Sequence, residues 1–397
     1  MALVASLCRP PSGTTDESGA RGYNMRKGLG LWLGIAALSL AGCSDDSTAT
    51  DADGAGDADA DIDIDVTADT DAGADADSSA EADAGADADD DGDALPDETS
   101  DAGDAADVPA PVPCDPDLAL ADGDPLDAAR AIGLCDGVIS AAWVLPDGTP
   151  ATPSAAFDLG HGILSGFGPN VAPREGDRLL ALSSGTARSP ADPGYGASFD
   201  KGYACAAPSG YPMELPACPG VATAEPRDGI GLDVEVEVPP WATGFAFDSS
   251  FYTHDFPDFV CGAYNDLFLA LVTPTPLGLP DANVAFDAAG NPLNVDSSFL
   301  DACTCPSGPP CVAGGLSFDC ALGMATLAGT GFGADTPAQE GGATDWLETR
   351  VPAAGGTTIR IRFTIYDSGD GVLDSTVLLD GFRWLTAAGV EVSTARP

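Results

Sequence analysis

The chain has 397 residues, with 63 acidic against 15 basic side chains and a formal net charge of -48. Such an excess repels a phosphate backbone at every approach and excludes DNA and RNA as partners. The length allows two domains, but the uneven spread of charge divides the chain into an acidic tail and one large β domain.

Residues 1–24 hold no signal-like apolar run, so translation is expected to start at Met25, which leaves Cys8 without structural meaning. Met25, Arg26 and Lys27 form a positive start, followed by the apolar run GLGLWLGIAALSLAG over 28–42. Its 15 residues fall short of the roughly 20 that a spanning helix needs. The run ends in LAGC, and residues 25–43 together resemble a bacterial lipoprotein signal peptide with its lipobox. That resemblance implies that Cys43 carries lipid and that the membrane partner is reached through this N-terminal anchor. The expected location is the outer membrane or cell surface. With two or more acyl chains, at about 0.8 kcal/mol per buried methylene, release from a bilayer becomes negligible.

From 44 to 113 there are about 25 carboxylates, no Lys or Arg and no aromatic residue. A block of this kind repels itself and has nothing with which to start a core, which predicts a disordered acidic linker. As a flexible chain it would span roughly 45 to 50 Å. Asp61, Asp63, Asp65 and the run from Asp89 to Asp93 echo calcium-loop spacing, but the glutamate at the twelfth position and the flanking helices of an EF-hand are missing.

The texture changes at Cys114, and residues 114–397 read as one folded domain, large enough to bury a substantial core. A short helix is expected near Leu126 to Ile132. In LDVEVEV, Leu232, Val234, Val236 and Val238 alternate with Asp233, Glu235 and Glu237, the period of a half-buried strand. DLFLALV (266–272) and STVLLDGF (375–382) are apolar on both faces, as expected of central strands covered on each side. In TTIRIRFTI, Ile359, Ile361, Phe363 and Ile365 alternate with Arg360 and Arg362. With Gly and Pro recurring between such runs, the expected fold is all-β, a jelly-roll-like antiparallel β-sandwich.

Beyond Cys8 and Cys43 the cysteines are Cys114, Cys135, Cys205, Cys218, Cys261, Cys303, Cys305, Cys311 and Cys320. An exported chain oxidises these to disulfides, and nine leaves one over. The expected local pairs are Cys114 with Cys135 and Cys205 with Cys218. The CTC and PPC cluster stays open, with zinc as an alternative reading, although CxC is not the usual CxxC knuckle.

The segments HGILSGFGPN (161–170), LSSGTAR (182–188), FYTHDFPDFVCGAYNDLFLALV (251–272), LAGTGF (327–332), GGATDWL (341–347) and IYDSGDGVLDSTVLLDGFRW (365–384) together resemble the choice-of-anchor L domain of bacterial surface proteins. The resemblance covers about 125–387 and rests most on the DFPDFV…YND and DxGDGxxDS blocks. It implies exposure at the cell surface and brings no established reaction or ligand. That family commonly has glutamate where this chain has Asp255 and Asp258, so acidic character is kept with a shorter reach.

Asp367, Asp370 and Asp374 lie between two strand-like runs, and Asp255, Asp258, Asn265 and Asp266 approach another. Calcium takes six to eight oxygens from flexible loops, so these seven residues are the candidate metal ligands if both loops meet at one end of the sandwich. The competing reading is that the aspartates turn their own backbone and that Gly369 and Gly371 supply positive φ. Catalytic motifs are lacking: there are two histidines, His161 and His254, and neither a GxSxG elbow nor an HExxH helix. His254 beside Asp255, and Ser165 four positions after His161, are the only arrangements that resemble a base or a nucleophile pair. Tyr252, Tyr264, Trp346 and Trp384 are candidates for a carbohydrate-stacking face or, alternatively, for core packing.

The expected protein is therefore not an enzyme but a lipid-anchored surface module for adhesion or ligand binding, with calcium as the candidate cofactor. Its partner would be an extracellular carbohydrate or protein. The alternatives are a surface hydrolase acting on an extracellular polymer and a purely structural envelope component.

Overall fold

The computed structural model describes residues 114, 118–303, 305, 308–333 and 341–397. The expectations placed on Cys43, the signal segment and the acidic linker lie outside these residues.

The first element is helix α1 (Pro125–Ala131), one residue ahead of its expected start. Pro125 pre-sets the first helical φ, and the Asp124 carboxylate accepts from the Leu126 N–H at 2.9 Å as an N-cap. Strand β1 (Val138–Val144), the one-turn helix α2 (Ala155–Asp158), β2 (His161–Leu164) and β3 (Leu179–Ser183) follow. The long strands are β4 (Pro226–Glu237), β5 (Gly244–Thr253) and β6 (Leu267–Thr273). Shorter pieces come next: β7 (Ala302–Cys303), β8 (Cys311–Ala313), β9 (Leu316–Phe318), β10 (Gly342–Ala343) and β11 (Leu347–Pro352). The chain closes with β12 (Thr358–Ser368), β13 (Ser375–Leu385) and β14 (Ser393–Ala395).

Two antiparallel sheets pack face to face, as the alternating sequence predicts. One runs β1-β4-β12-β6, and the main path of the other runs β14-β11-β5-β13-β3-β2. Between them Leu232, Val234 and Val236 of β4 and Ile359, Ile361, Phe363 and Ile365 of β12 meet Phe245, Phe247 and Phe251 of β5 and Val377 and Leu379 of β13. Phe247 and Phe363 touch edge to face across the sheets, with centroids 5.1 Å apart. On the outer face, Arg362 lies opposite Asp233 in register and donates to its carboxylate at 3.0 Å.

The all-apolar strands have a physical reason, and one of them differs from expectation. β13 is central, and Leu378 on its outer face enters a second core with Tyr252, Phe167 and Phe332. β6 is buried on both faces, with Leu267 and Leu269 packed under Tyr211 and Leu215, yet it ends its sheet instead of lying at the centre. Its free edge is covered by bridges from Phe268 to Leu293 and from Leu271 to Asn283, so a loop does the work of a neighbouring strand.

The disulfides correct one pairing. Cys114–Cys135 forms as expected, but Cys218 pairs with Cys261, and Cys205 is the odd cysteine, buried and outside any disulfide. Cys303–Cys320 and Cys305–Cys311 consume the cluster, which leaves it no thiolates for zinc.

Candidate functional site

The strands run so that the β5–β6 loop, the β12–β13 loop, the exit of β3 and the start of β4 all lie at one end of the sandwich. This follows from the register: Thr376 of β13 opposes both Tyr252 and Ser183, and Ser368 of β12 opposes Pro226. The two acidic loops that the sequence left unconnected are therefore neighbours.

Asp255, Asp266, Asp367 and Asp374 are all buried there. Asp255 accepts from the Asp266 N–H at 3.1 Å, and Asp266 accepts from the Ser184 hydroxyl at 3.1 Å and the Ser368 N–H at 3.3 Å. Asp374 accepts from the Phe199 N–H at 2.7 Å. Gly185 is needed beneath it, because a Cβ there would overlap the Asp374 carboxylate. Asp370 is exposed and accepts from the Val372 N–H at 3.0 Å, an Asx turn, while Gly369 and Gly371 have φ of 115° and 82°. Asp367 accepts from the Gly371 N–H, so the turn-forming role holds for both aspartates. One Asp367 oxygen, Oδ2, is nonetheless buried with no partner among the described residues.

Sequence reasoning missed two members. Asp228 accepts from the N–H groups of Lys201 (2.8 Å) and Tyr203 (3.0 Å), and the buried Lys201 ammonium donates to the Ser183 carbonyl at 2.8 Å. Neither stands in an acidic motif, so only the fold brings them in. Lys201 is pushed down to about 8 by burial, against the pull of Asp228 and Asp374, and stays largely charged at neutral pH. It offsets part of the charge of Asp228 and Asp374 and, more weakly, of Asp367, whereas among the described residues no ion pair engages Asp255 or Asp266.

Burial is the main cause that raises all of these carboxylates. Asp374 reaches about 6 and Asp367 about 7, the latter also raised by Asp370 and Asp374. Asp255 and Asp266 are pushed well above the usual range by burial, with further contributions from Asp367. Such a group has two stable states, protonated or charge-matched by a cation.

The donors are hard oxygens, as calcium prefers. Among the described residues, however, no three of these carboxylates place one oxygen each within 4.8 Å of the others, the diameter of a calcium shell. A cation would have to draw the side chains inward, with Asp367 Oδ2 a buried oxygen that no described residue engages. The one trio that does converge, Cys218, Cys261 and Asp296, contains a disulfide and is no metal site.

The remaining candidates fall elsewhere. Asp258 is exposed and shares none of the cluster's hydrogen bonds. Asn265 is buried and donates to Asp296, leaving its own Oδ1 without a partner among the described residues. The His254 ring stacks on Phe332 at 4.4 Å. His161 and Ser165 lie on either side of a strand register about 13 Å long, too far for a nucleophile and its base. Of the four aromatics, Tyr252 is core, Trp346 and Trp384 are half-buried, and Tyr264 is 48% exposed. Among the described residues no helix is long and apolar enough to cross a membrane. Comparison of the chain with models of known protein families and with curated proteins found no match.

Proposed function

We propose that this chain is a lipid-anchored bacterial surface protein of the choice-of-anchor L kind. Its sandwich acts as a module for adhesion or ligand binding, and its buried aspartate cluster takes calcium. The observation that carries the cation reading is Asp367, 2% exposed, with an unpartnered carboxylate oxygen beside the buried Asp255 and Asp266. Calcium here would hold the β5–β6 and β12–β13 loops together and set the shape of the surface that faces an extracellular carbohydrate or protein. Hydrolysis is the weaker reading, because full burial keeps Asp255 and Asp266 from any polymer substrate.

Two measurements test the two halves of the proposal. Calorimetric titration of calcium into the full chain is expected to give a saturable high-affinity phase that Asp367→Asn removes; titration curves that superimpose in the two proteins would refute the site. In a lipoprotein-processing bacterium, Cys43→Ala is expected to move the protein from the membrane fraction to the soluble one. Unchanged membrane retention would refute the anchor.

A further inference from the structure

A cavity of about 480 Å³ opens beside β2, lined among others by Gly123, Trp143, Pro153, Phe157, His161 and Arg188. None of the aspartates of the cation site lines it. Trp143 is fixed by its indole N–H, which donates to the Gly123 carbonyl at 2.8 Å. Its ring lies flat on His161, with centroids 4.1 Å apart and planes at 12°, and Phe157 meets His161 edge-on at 6.2 Å.

Arg188 is 6% exposed, an unusual place for a guanidinium. Its Nη1 donates to the carbonyls of His161 (2.7 Å) and Ala187 (2.6 Å). Among the described residues no hydrogen bond engages Nε or Nη2, and no carboxylate lies within 4.0 Å of the group. Asp192, the acid whose charge acts on it, is occupied by the N–H and hydroxyl of Ser189 at 2.8 and 2.7 Å. The space is reserved for the guanidinium, since a Cβ on Gly162 would overlap Arg188 Nη1. A buried cation normally has an anionic partner in contact, and among the described residues none pairs with this one.

The neighbouring imidazole is neutral at physiological pH. Burial, then Arg188 and Lys201, lower His161 to about 4, so it offers one N–H and one lone pair. No hydrogen bond engages its ring nitrogens among the described residues. The cavity thus combines one unpaired guanidinium edge, a neutral donor and acceptor, and aromatic walls.

We propose that this cavity binds a small monocarboxylate with a flat apolar face, such as an aromatic acid or a uronic sugar. The Nε and Nη2 edge of Arg188 forms the two parallel hydrogen bonds that a carboxylate accepts. A single charge suits the site better than a dianion, because Arg188 is the one cation in the lining and Asp158 stands exposed at its rim.

The test is calorimetric titration of the full chain with benzoate, D-glucuronate, methyl glucoside and inorganic phosphate. At least one of the two carboxylates is expected to bind saturably, and at least tenfold more tightly than the neutral sugar or phosphate. Arg188→Lys, which keeps the charge and loses the fork, is expected to weaken that carboxylate tenfold or more. Because Arg188 also holds two backbone carbonyls, Ala151→Leu serves as a second variant; it leaves Arg188 itself unchanged, narrows the cavity and is expected to abolish binding. Absence of binding by both carboxylates, equal binding of phosphate or methyl glucoside, or affinity unchanged in a folded variant would overturn the proposal.

Discussion

In the presence of a chelator, the melting temperature of the domain is expected to fall by roughly 5 °C or more between pH 6.5 and pH 8, and saturating calcium is expected to restore it at pH 8. The sign follows from the direction of the shifts. An aspartate whose folded pKa lies above its unfolded value of about 4 stabilises the fold fully below that value, and this contribution is lost as pH rises through the folded pKa. Asp367, near 7, titrates in this window, and burial holds Asp255 and Asp266 well above the usual carboxylate range. A buried carboxyl held protonated across 1.5 pH units costs about 2 kcal/mol over that interval, and each kcal/mol moves the midpoint of a domain this size by about 2 to 4 °C.

The window is chosen to isolate these groups. Below pH 6.5 the depressed His161 acts in the opposite direction: its contribution is present above about 6.5 and is lost as pH falls towards 4. Asp374, Asp296 and Asp380, all near 6, have mostly titrated by pH 6.5, and Lys201 keeps its proton up to about 8. Thermal melts at fixed ionic strength with and without calcium separate the possible outcomes. A fall reversed by calcium is the cation site. A fall that calcium leaves unchanged identifies a protonated structural cluster and refutes the site, and a flat profile refutes the burial argument itself.

Loss of the Cys218–Cys261 disulfide is the second large effect. It closes a loop of sequence separation 43, for which chain entropy gives about 4 kcal/mol. Cys261→Ser is expected to lower the denaturation free energy by about that amount, whereas Cys205→Ala removes no cross-link and is expected to cost about 1 kcal/mol, the loss of a small buried side chain. The disulfide ties the segment after β3 to the β5–β6 loop, and the Cys261 N–H also donates to Asp296. Cys261→Ser is therefore expected to weaken calcium binding as well. Peptide mapping without reduction checks the premise directly: recovery of a Cys205–Cys218 peptide in place of Cys218–Cys261 would contradict this account.

The strands were legible because each carries its environment in its own residues. The alternation of Leu232, Val234 and Val236 with acids, and of Ile359, Ile361 and Phe363 with arginines, fixes which face is buried without reference to any partner. The Asx and glycine turn around Asp367 to Gly371 was legible for the same reason, since its hydrogen bonds close within a few residues. An apolar run such as that of β6 reports two covered faces but says nothing of its edges, so its place at the end of the sheet could not be read.

The composition of the cluster depended on long-range register. Asp255 and Asp367 stand more than 100 positions apart, and they meet because β5 and β12, in opposite sheets, end on the same side of the sandwich. Asp228, Lys201 and Arg188 carry no local signal, because one charged residue in a strand or loop reads as solvated until the fold removes the water around it. The sequence by itself determined the alternating strands, the tight acidic turn and the excess of negative charge, all properties of neighbouring residues. Only the tertiary structure decided which carboxylates share a buried end, which cysteines pair and which cations are left without a partner, because desolvation and Coulomb energy depend on distances that chain order does not contain.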